Sequence, residues 1–267
     1  MRDANDEPEA EKTVCSVCGG RGLIIKDDAW AAPCSCMKQQ AVQNKMKSAQ
    51  LTRAMLGSRF NGFNLEYYSR SGNDETTGRS FYDLSVTAVR AAKQFTADVV
   101  ENPNCDGLLF TGPVGSGKTF LAGCIANALL EMGKEVMMVV VPDLLDEIRA
   151  TYDHDRYAKE ATELEIIDAA RKVKILILDD LGAHNYTEWT RNKIYNIINY
   201  RLNNRLPTVI TTNLSLENLE EYLGERTTSR LIQMCRIYRL AVDTDIRIIS
   251  RHEKEKKTGR RRSDEQI

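Results

Sequence analysis

No apolar run in the 267 residues approaches the ~18–20 that a membrane span needs, so a transmembrane helix is not expected. The segment Met1–Glu11 is acidic and polar and has no hydrophobic h-region, which argues against a secretory signal. The chain is therefore expected in the cytoplasm. No one sign of charge dominates: 37 Lys and Arg stand against 38 Asp and Glu, a net charge of −1. Bulk charge does not announce a nucleic-acid binder, and any such surface must come from local clustering. No repeat of fixed period is found, which sets aside solenoids and propellers. Cysteine is scarce beyond residue 36, where only Cys105, Cys124 and Cys235 remain, while four fall at 15, 18, 34 and 36. That asymmetry predicts two parts with different physics.

The length suits one sizeable core plus a small accessory module. Residues 1–12, charged and without an apolar pattern, read as disordered. Residues 13–56 read as a Cys- and Gly-rich module followed by a helix, residues 57–78 as a linker, and residues 79–250 as the main domain. Within that domain apolar strands alternate with helices, the pattern of an α/β fold with a parallel sheet covered on both faces. Strands are expected near Leu108–Thr111, Val136–Val141, Lys174–Asp179, Thr208–Thr212 and Arg236–Val242. Helices are expected between them, one opened by Pro142 and one capped by Ser215.

The strongest motif is Gly112-Pro-Val-Gly-Ser-Gly-Lys-Thr119, which fits G-x-x-x-x-G-K-[ST] between a strand and a helix. Glycines let backbone N–H groups turn to phosphate oxygens, and the helix N-terminus adds its positive end. ATP with Mg²⁺ is the expected ligand. The residues expected to contact nucleotide are Gly112, Pro113, Val114, Gly115, Ser116, Gly117, Lys118, Thr119 and Phe120, together with Asp179. Lys118 is expected at the β- and γ-phosphates and Thr119 on Mg²⁺. The strand Ile175-Leu-Ile-Leu ends in Asp179 and Asp180, at the carboxyl edge where open α/β sheets bind ligands. Asp179 is expected to hold Mg²⁺ through water, and Asp180 to position or deprotonate the attacking water. Asn213, closing Thr211-Thr-Asn, can donate an amide hydrogen to the γ-phosphate or to that water; Asn starting a turn is the plainer alternative.

Cys15-x-x-Cys18 and Cys34-x-Cys36 flank a short segment that contains Gly19, Gly20 and Gly22. Four thiolates so close suit tetrahedral Zn²⁺. A piece this small cannot build an adequate apolar core, and zinc binding can supply about 10–16 kcal/mol of folding free energy. Two disulfides or a redox C-x-x-C are the competing readings, and C-x-C is tighter than the usual second knuckle. At the other end, residues 251–267 read as a basic flexible tail. Seven of the residues in Arg251–Arg262 are basic, against Glu253 and Glu255, a run that suits a solvated end and phosphate-backbone contact equally.

Together GLLFTGPVGSGKTFLAGCIANALL, ILILDDLG, TTN and LGERTTSRL, in that order, resemble the DnaC/DnaI-type bacterial and phage replicative helicase loaders of the AAA+ class. The resemblance covers roughly residues 80–250. It implies an AAA+ ATPase with Lys118 and Thr119 as the Walker A pair and Asp179 and Asp180 as Walker B, with Asp where most AAA+ proteins carry Glu. It implies Asn213 as sensor 1, Arg230 as the arginine finger reaching a neighbour's ATP, and Arg247 as the sensor 2 arginine. Without the family, Arg226, Arg230 and Arg247 read as ordinary surface arginines. The resemblance further implies a homo-oligomer in the ATP state, a DnaB-type replicative helicase as partner, single-stranded DNA as the landing site, and the zinc module as the docking element. His184–Tyr186 and the helix near Asn192–Arg205 would then face a central channel. An IstB-like ATP-binding transposition helper and an ATP-binding adaptor with little hydrolysis are the alternative functions.

Overall fold

The structure is a computed structural model that describes residue 18 and residues 23–27, 30–34, 51–152, 162–183, 187–253 and 255. The chain divides into two units, 1–44 and 45–267. In the first, β1 (Leu23–Asp27) and β2 (Trp30–Pro33) pair antiparallel, Leu23 opposite Pro33 and Ile25 opposite Ala31. Cys18 and Cys34 are both buried.

The second unit carries five parallel strands: β3 (Gly107–Thr111), β4 (Val136–Val140), β5 (Ile175–Asp179), β6 (Thr208–Thr212) and β7 (Cys235–Arg239). Their order across the sheet is β4-β5-β6-β3-β7. Parallel strands require crossovers, and the helices between β3 and β7 supply them, two further helices preceding β3. In chain order the helices are α1 (Arg53–Leu56), α2 (Phe81–Glu101), α3 (Lys118–Glu131), α4 (Val141–Ala150), α5 (Glu163–Lys172), α6 (Glu188–Asn203), α7 (Leu216–Leu223) and α8 (Glu225–Met234). A further helix, α9, spans 246–253. Local chemistry sets the helix starts. Ser80, Thr187 and Ser215 each accept a backbone N–H from the first turn, and Thr162 with Glu165 forms a full capping box. Among the described residues no helix is long and apolar enough to cross a membrane.

Strand residues alternate between two cores. Leu108, Phe110, Ile177 and Val209 pack with α2 and α3. Leu109, Leu176, Leu178 and Ile210 pack with α4 to α8. Both faces are covered, so β3, β5 and β6 are buried at every position. Truncating Leu109 or Leu176, both fully buried, costs about 2–5 kcal/mol by cavity formation.

The α/β class and parallel sheet follow the sequence pattern. Residues 57–78, expected as a linker, instead carry two 3₁₀ turns, Phe60–Gly62 and Leu65–Tyr67, and their aromatics pack within the second unit against its core. Asn127 of α3 explains part of that packing: its buried Nδ2 donates to the carbonyls of Met55 at 2.8 Å and Ser58 at 3.0 Å. Asp74, also in this stretch and buried, pairs with Arg239 at 2.7 Å and so pins the segment to the edge strand β7. The first residues of the expected basic tail belong to α9, which Asp245 caps by accepting the N–H of Arg247. The expected disorder of 1–12, residues 38–50 of the helix expected over 38–56, the region 153–161, His184–Tyr186 and residues 256–267 lie outside the described residues.

Candidate functional site

Five parallel strands leave their carboxyl ends along one edge of the sheet, and the sequence motifs converge there. β3 runs into the loop 112–117, and Gly117, in the left-handed region at φ 91°, starts α3. Gly115 is left-handed as well, at φ 74°, and a Cβ there would lie 2.1 Å from the Asp245 carboxylate carbon. Both positions therefore require glycine. Lys118 is buried, and its ammonium donates to the carbonyls of Gly112 at 2.8 Å and Pro113 at 2.7 Å, with Ser116 Oγ at 3.3 Å. Burial lowers its pKa to about 8, with Asp180 and Asp179 pulling the other way.

Strand β5 delivers two adjacent carboxylates into unlike surroundings. Asp179 is buried, and its Oδ1 accepts from Thr211 Oγ1 at 2.6 Å and Thr119 Oγ1 at 3.1 Å. Burial, followed by the charge of Asp180, raises its pKa despite the bond from Thr211. Asp180 sits one residue on at φ 57°, a left-handed conformation uncommon for a non-glycine residue. Its amide donates to Thr211 Oγ1 at 2.9 Å, which fixes the turn. Its half-exposed side chain lines the cleft and accepts from Asn213 Nδ2 at 3.4 Å.

The cleft holds about 530 Å³. Lys118, Thr119, Asp180, Asn213 and Arg247 line its polar part, while Phe63, Tyr68, Phe120 and Ile246 line its apolar part. A mixed lining of this kind suits a ligand with charged phosphates and a flat apolar base. The oxygens of Thr119 and Asp179, already bonded to each other, are the hard donors a Mg²⁺ ion takes.

Thus Lys118, Thr119, Asp179, Asp180, Asn213 and Arg247 come together, and Val114 and Phe120 stand at the rim, exposed to 58% and 37%. Arg230 does not join them. It lies on α8 in a separate cleft, with Nε donating to Asn199 at 2.8 Å and its guanidinium 4.8 Å from the centre of the Tyr195 ring. The sequence reading missed Phe63, Tyr67 and Tyr68 as cleft residues; the only signal was a run of aromatics in a segment without periodicity. Of the cysteine quartet, Cys15 and Cys36 lie outside the described residues.

The profile of the family described as IstB-like ATP binding protein matches residues 86–253. The replicative helicase loader DnaC of Escherichia coli (strain K12) is 27% identical over 146 residues, 55% of this chain and 57% of the loader. The replicative helicase loader DnaI of Bacillus subtilis (strain 168) is 26% identical over 207 residues, 77% of this chain and 60% of the loader. The chain thus spans under two thirds of the length of either relative. A crystal structure of the DnaC helicase loader shares the fold at a TM-score of 0.55 and 24% identity, over 72% of this chain and all of that one. With the profile covering more than half of the sequence and running from α2 to α9, the chain belongs to the IstB-like ATP-binding family.

Proposed function

We propose that the protein is an ATPase of the helicase-loader kind, which uses ATP to assemble copies of itself and to place a ring-shaped DnaB-type replicative helicase on single-stranded DNA in the cytoplasm. One observation supports this reading: Lys118, Thr119, Asp180, Asn213 and Arg247 line one cleft, whereas Arg230 lies in the separate cleft of α8. A site whose expected finger arginine, Arg230, lies elsewhere on the chain suits completion by a neighbouring copy. The similarity to the DnaC and DnaI loaders supports the same reading.

Each residue then has a task. Lys118 leaves its carbonyl partners to hold the β- and γ-phosphates, and Arg247 adds positive charge from the cleft wall. Thr119 and Asp179 hold Mg²⁺, which neutralises phosphate charge when bound. Asp180 orients and deprotonates the attacking water, and Asn213 fixes the Asp180 carboxylate. Arg230 stabilises the charge that develops on the neighbour's γ-phosphoryl group.

The reading extends to Zn²⁺ at Cys15, Cys18, Cys34 and Cys36. Pairing of Leu23 with Pro33 puts the start of β1 beside the end of β2, which Cys34 directly follows. Buried Cys18 and Cys34 fit a metal-organised knuckle. This module would dock on the helicase.

An IstB-like transposition helper is the second reading, and the matching profile carries the IstB-like description. Co-purification of the full chain with the host's replicative helicase in ATP and Mg²⁺ decides between them, with zinc measured on the same sample. Co-elution with one zinc per chain is expected. Retention of a transposase and no helicase overturns the loader assignment. Intact ATP binding with no phosphate release would make the protein an adaptor.

A further inference from the structure

The segment 57–68 lies against the phosphate loop, and beyond lining the apolar part of the cleft it has no task in the reading above. Tyr68 is 3% exposed, and its hydroxyl donates to the Ser116 carbonyl at 2.8 Å. Phe63 stacks on the Tyr68 ring, centroids 5.5 Å apart and planes 10° from parallel, and Phe63 in turn meets Phe120 of α3 at 6.2 Å. A Cβ on Gly117 would lie 2.8 Å from the tyrosine oxygen, so the hydroxyl and the glycine backbone fit only each other. Next in sequence, Tyr67 donates to Glu253 of α9 at 2.9 Å. The strap therefore touches the phosphate loop, the first turn of α3 and the helix that carries Arg247.

The bonded group decides what the contact does. The Ser116 carbonyl and the Gly117 N–H belong to one peptide unit, which is planar and trans, so they point in opposite directions. A hydroxyl that holds the carbonyl toward the strap turns the Gly117 N–H the other way. Gly117 is the residue most able to let that peptide flip, since it adopts φ 91° with no Cβ to resist either orientation. Burial raises the Tyr68 phenol above its ordinary range, so it remains a proton donor at any physiological pH.

We infer that Tyr68 is a positioning residue: its hydroxyl sets the Ser116–Gly117 peptide in the orientation that binds phosphate, and by that bond ties nucleotide occupancy to the strap 57–68. This rests on the reading of Gly112–Thr119 as the ATP phosphate site.

Tyr68→Phe is the test, since it keeps the ring, its stack and its burial. ATP affinity by calorimetry is expected to fall about 5–10-fold, the loss of one buried hydrogen bond. Amide exchange adds a readout that a merely structural role would not move. In the wild-type chain ATP is expected to protect both 112–120 and 57–68. In Tyr68→Phe at saturating ATP, protection is expected to return to 112–120 and not to 57–68. Affinity within twofold of wild type, with 57–68 still responding to ATP, would overturn the inference. Lys118→Ala separates the failures. If wild type binds no ATP and equals Lys118→Ala, the phosphate-site reading falls and this inference with it; if wild type binds and Tyr68→Phe matches it, only this inference falls. Should Tyr68→Phe not fold, wild-type exchange decides alone, because no ATP-dependent protection across 57–68 rejects the coupling.

Discussion

Two clefts of nearly equal volume, about 530 and 510 Å³, are built on opposite principles. The first, at the carboxyl edge of the sheet, offers glycine backbone, one buried lysine and a wall of aromatic rings. The second, beside α6 and α8, is polar and lined by Arg201, Arg205 and Arg230. Within it the arginines differ again. Arg201 is fully buried and donates to the carbonyls of Ala170, Arg171 and Val173 at 2.8–3.1 Å, to that of Pro207 at 2.8 Å, and to Thr208 Oγ1 at 2.8 Å. It closes the carboxyl end of α5, where carbonyl dipoles balance a cation. Arg230 is half-buried, rests on Tyr195 and makes only two hydrogen bonds among the described residues, to Asn199 and to the carbonyl of Arg226. One arginine is locked into the fold and the other is held where it can leave. On the proposed reading the first cleft holds the nucleotide and the second offers a charge to a neighbouring copy.

That contrast breaks first at Arg230. Arg230→Ala should leave ATP affinity within about twofold and cut hydrolysis in the assembled state by about 10³-fold, the scale of a finger acting in trans. Mixing Arg230→Ala chains with Lys118→Ala chains should restore part of the activity, because one partner keeps the phosphate site and the other keeps the arginine. Loss of affinity equal to loss of rate would place Arg230 in its own site and erase the distinction between the clefts.

Arg201→Met should do the reverse. Several buried carbonyls lose their donor, so stability should fall by about 3–4 kcal/mol. On a unit of this size that is about 10 °C in melting temperature. ATP affinity, measured below the transition, should stay within about twofold. A variant that melts like wild type would mean that water or a neighbouring chain takes over those carbonyls.

The first cleft was legible in the sequence where chemistry is local. The spacing from Gly112 to Thr119 and the run from Ile175 to Asp180 name both the residues and the strand edge that brings them together. The five parallel strands were legible because burial on both faces demands continuous apolar runs. Phe63, Tyr67 and Tyr68 were not, because two 3₁₀ turns carry no 2- or 3.6-residue period and aromatics in a polar stretch read as a linker. Arg201 and Arg230 were equally opaque. Both fall in helices rich in charge, and only tertiary contact shows that one meets the carbonyls closing α5 and the other a Tyr195 ring.

The clefts also differ in the kind of cation they hold, and this gives the smallest effect. Arginine stays charged across the working pH range, whereas a desolvated lysine does not. Burial brings Lys118 down to about 8 in the free protein. Phosphates favour the ammonium form, so its pKa must rise when nucleotide binds, and binding above pH 8 takes up a proton. The sign follows by linkage: affinity is flat well below pH 8 and falls as pH rises through it. Between pH 7 and 9 the charged fraction of a group with this pKa drops from about 0.9 to about 0.1, so ATP affinity should weaken about tenfold. Calorimetry in two buffers of different ionisation enthalpy should register uptake of about half a proton at pH 8. Lys118→Arg, whatever its absolute affinity, should show a flatter slope, since its charge does not titrate there. If wild-type affinity were level from pH 7 to 9, Lys118 would already be fully charged in the free cleft, and Asp179 and Asp180 would outweigh its burial.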